Sequence, residues 1–301
     1  MIIAKVKKTF FLLVKSFKEL KVNDPIRLSA ATAFIASFAL APTIVLLISL
    51  INVILDEEMI TGELFNYLEE MVGGDTAEEI QNILLNLQDM KTGGLITIGF
   101  LIFFLFVATT LFVVVQNSFN QIWKVKPKSQ RRLKFMLKNR AKSLLIILIT
   151  GLLFLVALLS DILVAFLGDN LLVVLPDIGR YGLRIFNFLL SLGIFTLWFA
   201  SVYKFLPDVK MRWKPVWVGA VFTSILFSIG QLIMGQFLVQ SEIDDVYGAS
   251  GSLAILFLFI FYSSFILYFG LSFIKDYAEE KGYKIKPKKF AVRYEIREIN
   301  E

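Results

Sequence analysis

Residues 29–47, "SAATAFIASFALAPTIVLL", contain no charged side chain, in a run close to the roughly 20 apolar residues that cross a bilayer as a helix. Ser29, Ala33, Ser37 and Ala41 recur every four residues. That spacing predicts a ridge of small side chains along which a neighbouring helix can approach closely. Pro42 interrupts the run. Proline donates no backbone hydrogen bond and its ring crowds the preceding turn, so a bend is expected at 38–42 with the Phe38 carbonyl freed at membrane depth. Lipid cannot satisfy such a carbonyl, which must find protein, water or ligand.

The rest of the chain carries the same signal. Its 301 residues are 57% hydrophobic and 14% aromatic, and the mean hydropathy is +0.72. Apolar runs of spanning length fall at about 28–55, 93–122, 143–167, 185–206, 215–239 and 253–274, with only Asp161 and Lys204 as charges inside them. The expectation is an all-α integral membrane protein with six transmembrane helices forming one domain over 28–274. Residues 1–27 precede it as an amphipathic helix and 275–301 follow as a tail.

Charge gives the orientation. The segments 1–27, 124–142, 204–214 and 275–301 carry seven, nine, four and eight Lys/Arg, which is 28 of the chain's 31. The opposite loops keep Lys91, Arg180 and Arg184, and residues 56–92 hold ten acids. Lysine and arginine favour the cytoplasmic side, so both termini of a multi-pass protein are expected there. An even number of spans agrees.

In "MIIAKVKKTFFLLVKSFKEL", Phe10, Leu13, Val14 and Phe17 stand at helical spacing among lysines. The segment reads as a helix on the inner leaflet; a secretory signal would need a longer apolar core and a small-residue cleavage site. Residues 56–92 read as an extracytoplasmic helical hairpin capping the bundle, split at Gly73 and Gly74, with Asp75 or Thr76 capping its second helix.

The chain has neither cysteine nor histidine. Disulfides, thiolate metal sites and the commonest neutral-pH base are therefore missing, and no catalytic residue, metal or cofactor is expected. Candidate binding residues are instead uncharged and polar. Ser37 and Pro42 mark the first span. Gln116, Asn117 and Asn120 lie at the end of the second, with Gln121, where they either hold a polar head group or join helices. Gln231 and Gln236 sit in the fifth span with Gln240. Tyr247, Gly248, Ser250 and Gly251 enter the sixth, where close backbone approach is easy. Asp161 and Arg184 come at one membrane level and suit an ion pair. The basic loop "KVKPKSQRRLKFMLKNRAK" suits anionic lipid at the cytoplasmic face; no nucleic-acid module accompanies it, and no nucleic-acid partner is expected. Self-association into a homo-oligomer stays open.

Four stretches, "AATAFIASFALAPTIVLL", "FNQIW" from Phe119, "YKFLPDVKMRWKPVWVGA" from Tyr203 and "VYGASGSLAILFLFIFYSSFILYFG" from Val246, resemble the YihY/BrkB family of bacterial inner-membrane proteins across about 28–274. The resemblance implies that the membrane is a bacterial inner (plasma) membrane, and it implies a role in moving lipids or lipopolysaccharide components; an older family label, ribonuclease BN, finds no support in a chain without His or Cys. Departures from the family pattern fall at Phe34 and Ile35, where tyrosines are usual, and at Gly270-Leu271-Ser272, where Gly-Ala-Glu is typical. The expected function is transport or movement of an amphipathic or anionic molecule through an intramembrane cavity beside the kinked first helix. The alternative is a non-transporting scaffold or regulator that docks a cytoplasmic partner through the basic loops and the tail, where Val292, Tyr294 and Ile296 alternate with charges.

Overall fold

The computed structural model describes residues 2–52, 82, 94–128, 140–153, 155–157, 176–240 and 249–295. In chain order the elements are α1 (Ile2–Lys21), α2 (Pro25–Asn52), α3 (Gly94–Ile122), β1 (Val125–Pro127), α4 (Arg140–Ala157), α5 (Pro176–Phe205), β2 (Val209–Lys210), α6 (Trp213–Gln240), α7 (Ala249–Glu280), β3 (Lys286–Pro287) and β4 (Ala291–Arg293). Among the described residues five helical segments are long and apolar enough to cross a membrane: Ile102–Ile122, Arg140–Ala157, Ile185–Phe205, Trp213–Ile233 and Leu256–Glu280. Pro25–Leu40, in α2, is a shorter apolar helix. These five segments overlap the apolar runs at 93–122, 143–167, 185–206, 215–239 and 253–274, because a backbone in lipid must satisfy its own polar groups, which a helix does within the segment. The chain is thus a multi-pass helical membrane protein. The hairpin expected over 56–92 lies outside the described residues.

α7 is the central helix, packing on α6, α2 and α1, while α2 packs on α3 and α5 on α6. The small-residue ridge of α2 explains its close neighbours: Ser29, Thr32, Ala33, Ala36 and Ala39 are buried, and Pro42 is buried within the same helix. The buried face follows 3–4-residue steps rather than strict fours. Ser37 therefore turns partly outward and donates to Phe34 O at 2.7 Å. Glycines do the same for α6 and α7. A Cβ on Gly219 would fall 2.1 Å from Ile274, and one on Gly270 would fall 1.9 Å from Thr223 Oγ1 and 2.3 Å from Tyr203 Oη. Hydroxyls close the helix seams, with Tyr203 Oη 2.8 Å from Thr223 Oγ1 and donating to Leu267 O, and Thr32 Oγ1 beside Tyr268 Oη at 2.5 Å. The outer surface is apolar in the opposite sense: Ile102, Phe103, Phe106, Phe188, Leu189 and Leu232 are exposed, a lipid-facing belt.

At the basic end the chain forms two short antiparallel pairs. β1 pairs with β4 (Val125 opposite Arg293) and β2 with β3 (Val209 opposite Pro287). The fold-back begins at the C-terminus of α7, where Gly282 takes φ +69 and Tyr283 N–H bonds Ala278 O while Gly282 N–H bonds Glu279 O. This is the paired-bond helix stop that favours glycine in the left-handed region. The residues read from sequence as a docking tail are thus engaged within the chain: Val292 lies opposite Lys126, and Tyr294 N–H bonds Lys124 O. Ile296 lies outside the described residues.

Candidate functional site

Two fully buried carboxylates organise the basic end. Asp208 stands in the α5–α6 connection, just after Pro207 and at the start of β2. Its Oδ1 accepts from Lys142 Nζ of α4 and from Gln116 Nε2 of α3 at 3.2 Å; its Oδ2 accepts from Asn120 Nδ2 at 2.9 Å. Asn120 also accepts from the Asp208 backbone N–H at 2.9 Å, and Lys142 additionally reaches Leu206 O. Gln116 and Asn120 share a face because they are four residues apart, one helical turn. An unpaired buried charge is costly, so one lysine and two amides around one carboxylate form a mutually dependent set joining α3, α4 and the α5–α6 connection.

Asp276, near the end of α7, binds α1. Its Oδ2 accepts from Ser16 Oγ at 2.7 Å and its Oδ1 pairs with Lys15 Nζ at 2.8 Å. Ser272, where the family resemblance implies glutamate, is buried and donates to Ser16 O at 3.0 Å; Lys275 pairs with Glu19. The hydrogen bond to Asp276 holds the Lys15 ammonium above its ordinary range, whereas burial raises the Glu19 carboxyl despite its lysine partner. α1 thus meets α7 through Leu12, Ser16 and Leu20, a face adjacent to the expected one. Val14 and Phe17 stay largely exposed, Phe17 with its ring against Phe265 and Phe269.

The residues singled out from sequence separate into groups. Gln116 and Asn120 come together on Asp208, and Asn117, between them, is exposed. Gln231 is exposed on α6, and Pro42 and Ser37 lie on α2. Gln236, Ser250, Gly251 and Arg184 have helical backbone, in α6, α7 and α5. Tyr247, Gly248 and Asp161, and with it the Asp161–Arg184 pair, lie outside the described residues. Sequence reasoning did not single out Asp208, Lys142, Ser16 or Asp276. A signal for Asp208 was present: it is the one acid in the loop 204–214, among Lys204, Lys210, Arg212 and Lys214. No group of three or more Asp or Glu able to hold a metal occurs among the described residues.

Together these features define a polytopic helical membrane protein with two buried carboxylates, Asp208 and Asp276, each paired at one end of the described helices. The chain belongs to the BrkB family: residues 16–294 match the family described as Virulence factor BrkB. Its relatives include proteins named UPF0761 membrane protein. The one from Aliivibrio salmonicida is 24% identical over 285 residues, 89% of this chain and 84% of the relative. That from Tolumonas auensis is 25% identical over 190 residues, 61% of this chain and 58% of the relative, and that from Psychromonas ingrahamii 26% over 213 residues, 70% and 67%. The match thus spans under three fifths of the Tolumonas protein's length. No solved structure matches the chain. The resemblance read from the motifs is thereby confirmed.

Proposed function

We propose that the protein is a six-span transporter or lipid-moving protein of the bacterial inner membrane, with the basic end and both termini cytoplasmic and a hairpin over 56–92 covering the other face. Its cargo on this reading is an amphipathic or anionic molecule held beside α2. The observation that carries the reading is Pro42, buried inside α2. Its missing N–H deprives the Phe38 carbonyl of its usual donor four residues on, and backbone loosened in that way is used at transporter binding sites. The basic end supports an anionic cargo through attraction to acidic head groups. The scaffold alternative is not adopted, because Val292 and Tyr294 are already engaged with β1 and Lys124.

The test is movement of labelled anionic lipid between leaflets of liposomes containing the purified protein, comparing the native chain with Pro42→Ala and Gln231→Leu. Movement above empty liposomes that Pro42→Ala abolishes in folded protein supports the reading. Movement equal to that of empty liposomes overturns the lipid route.

A further inference from the structure

Where the folded-back tail meets the end of α7 there is a cavity of about 310 Å³, at the small end of the roughly 300–1,000 Å³ range of small-molecule sites. Trp123, Val125, Val209 and Ile285 supply its apolar lining. Its polar lining is one-sided: Lys275, Lys284, Lys286 and Arg293 against Glu279. Lys275 is already paired with Glu19, and Arg293 donates one hydrogen bond to Ile285 O at 2.6 Å. Lys284 and Lys286 are exposed, and their ammonium groups have no hydrogen-bond or ion-pair partner among the described residues. The β2–β3 register adds to the excess, because it sets Lys286 directly opposite Lys210, a like-charge cross-strand pair that is unfavourable unless an anion neutralises it.

We propose that this cavity is a binding site for a phosphate-bearing anion. Three cationic residues line it from two chain segments, Lys284 just before β3, Lys286 in β3 and Arg293 at the end of β4, which suits a compact oxyanion with several acceptor oxygens better than a single carboxylate. Arginine supplies a forked pair of donors and the lysines supply point charges. The cavity is too small for a whole lipid but fits a head group, and Trp123, whose Nε1 donates to Leu271 O at 3.3 Å, forms its inner wall beside α7. The same chemistry is offered by a phospholipid head group and by free phosphate. The site is distinct from the region of Pro42, and its occupancy is read without any movement of lipid, so it stands or falls separately from the transport reading.

The experiment is calorimetric titration of the full chain, in a neutral detergent, with inorganic phosphate and separately with dioctanoyl phosphatidic acid. The native protein is expected to bind at least one probe, and Lys284→Gln/Lys286→Gln to weaken that binding by about tenfold or more, the scale of losing charge-assisted hydrogen bonds. Lys284→Arg/Lys286→Arg, which keeps the charge, and Lys281→Gln, which lies outside the cavity, should both bind like the native chain; their folding controls for damage to the β2–β3 pair. Binding of the short-chain lipid that phosphate does not displace assigns the site to a lipid head group. Mutual displacement assigns it to the phosphate group itself. Absence of binding by either probe, or equal binding by the native chain and the glutamine double variant, overturns the proposal.

Discussion

Asp208 and Asp276 are both fully buried acids at the same end of the molecule, yet they are answered in different ways. Asp208 faces Lys142, whose side chain is 12% exposed, and two amides from a third segment; Asp276 faces Ser16 and a lysine that is 48% exposed. The first carboxylate is a junction among membrane helices and lies out of reach of solvent. The second is a clasp between one peripheral helix and α7, and half of it is in water. The difference teaches where stability and adjustability lie: a buried set loses everything when one member goes, whereas a pair whose lysine stands half in water is partly screened and can open without unfolding the bundle.

The largest expected effect follows from breaking the junction. Asp208→Ala leaves Lys142, Gln116 and Asn120 facing an empty acceptor, and removing one partner of a buried pair costs about 3–5 kcal/mol. Denaturation of the purified protein in detergent should show a loss of that order or no folded protein at all. A loss as small as that of a surface mutation would mean that Asp208 is hydrated. Next comes Asn120→Ala, which removes both a donor to Asp208 and the acceptor of its backbone N–H, for about 1–3 kcal/mol. Asn117→Ala, three positions away and exposed, should stay within about 0.5 kcal/mol, so the pair of variants tests the helix face as well as the magnitude.

The clasp should yield less. Asp276→Asn keeps a side-chain acceptor for Ser16 but removes the partner of Lys15, and about 1 kcal/mol is expected, because the lysine is largely hydrated. The decisive readout is local. Amide exchange should rise across 2–21 and remain unchanged in α3, whereas a uniform rise would erase the distinction between clasp and junction.

Most of the fold was legible in the sequence and most of the basic end was not, for one physical reason. Spanning helices are written as continuous apolar runs, and the constraint that creates them, satisfying the backbone in lipid, acts within each run. The helices ending at Ile122 and Phe205 accordingly stop where hydropathy puts them, whereas the last one runs past the expected end at 274 to Glu280, through charged residues. The site depends on pairings across long separations, 88 residues for Asn120 with Asp208 and 260 for Ser16 with Asp276, and no periodicity encodes these. Gln116 and Asn120 were legible as a shared face, but the carboxylate they bind was not. The tail shows the intermediate case: Val292 and Tyr294, alternating with charges, read as a surface for a partner, yet β4 is a strand there and its partner is β1 of the same chain.

The smallest and finest test of the contrast is pH. Lys15 is raised by its hydrogen bond to Asp276, so its contribution to holding α1 is complete below the free lysine value and is lost only as pH climbs through the higher folded value. Glu19 is raised too, by burial, and the sign is the same: folded α1 holds that proton more tightly than released α1, so its contribution is complete below the free glutamate value and fades as pH rises through the folded one. Protection of the α1 amides, corrected for intrinsic exchange and referenced to α3, should therefore be slightly higher in mild acid than at neutrality. It should then stay flat to about pH 9 and decline in the lysine range. Glu19→Gln should remove the acid step and Lys15→Gln the alkaline one. Protection that falls on mild acidification would mean that the Lys275 ion pair outweighs the burial of Glu19, and that the clasp is held by charge rather than by the packing of Leu12, Ser16 and Leu20.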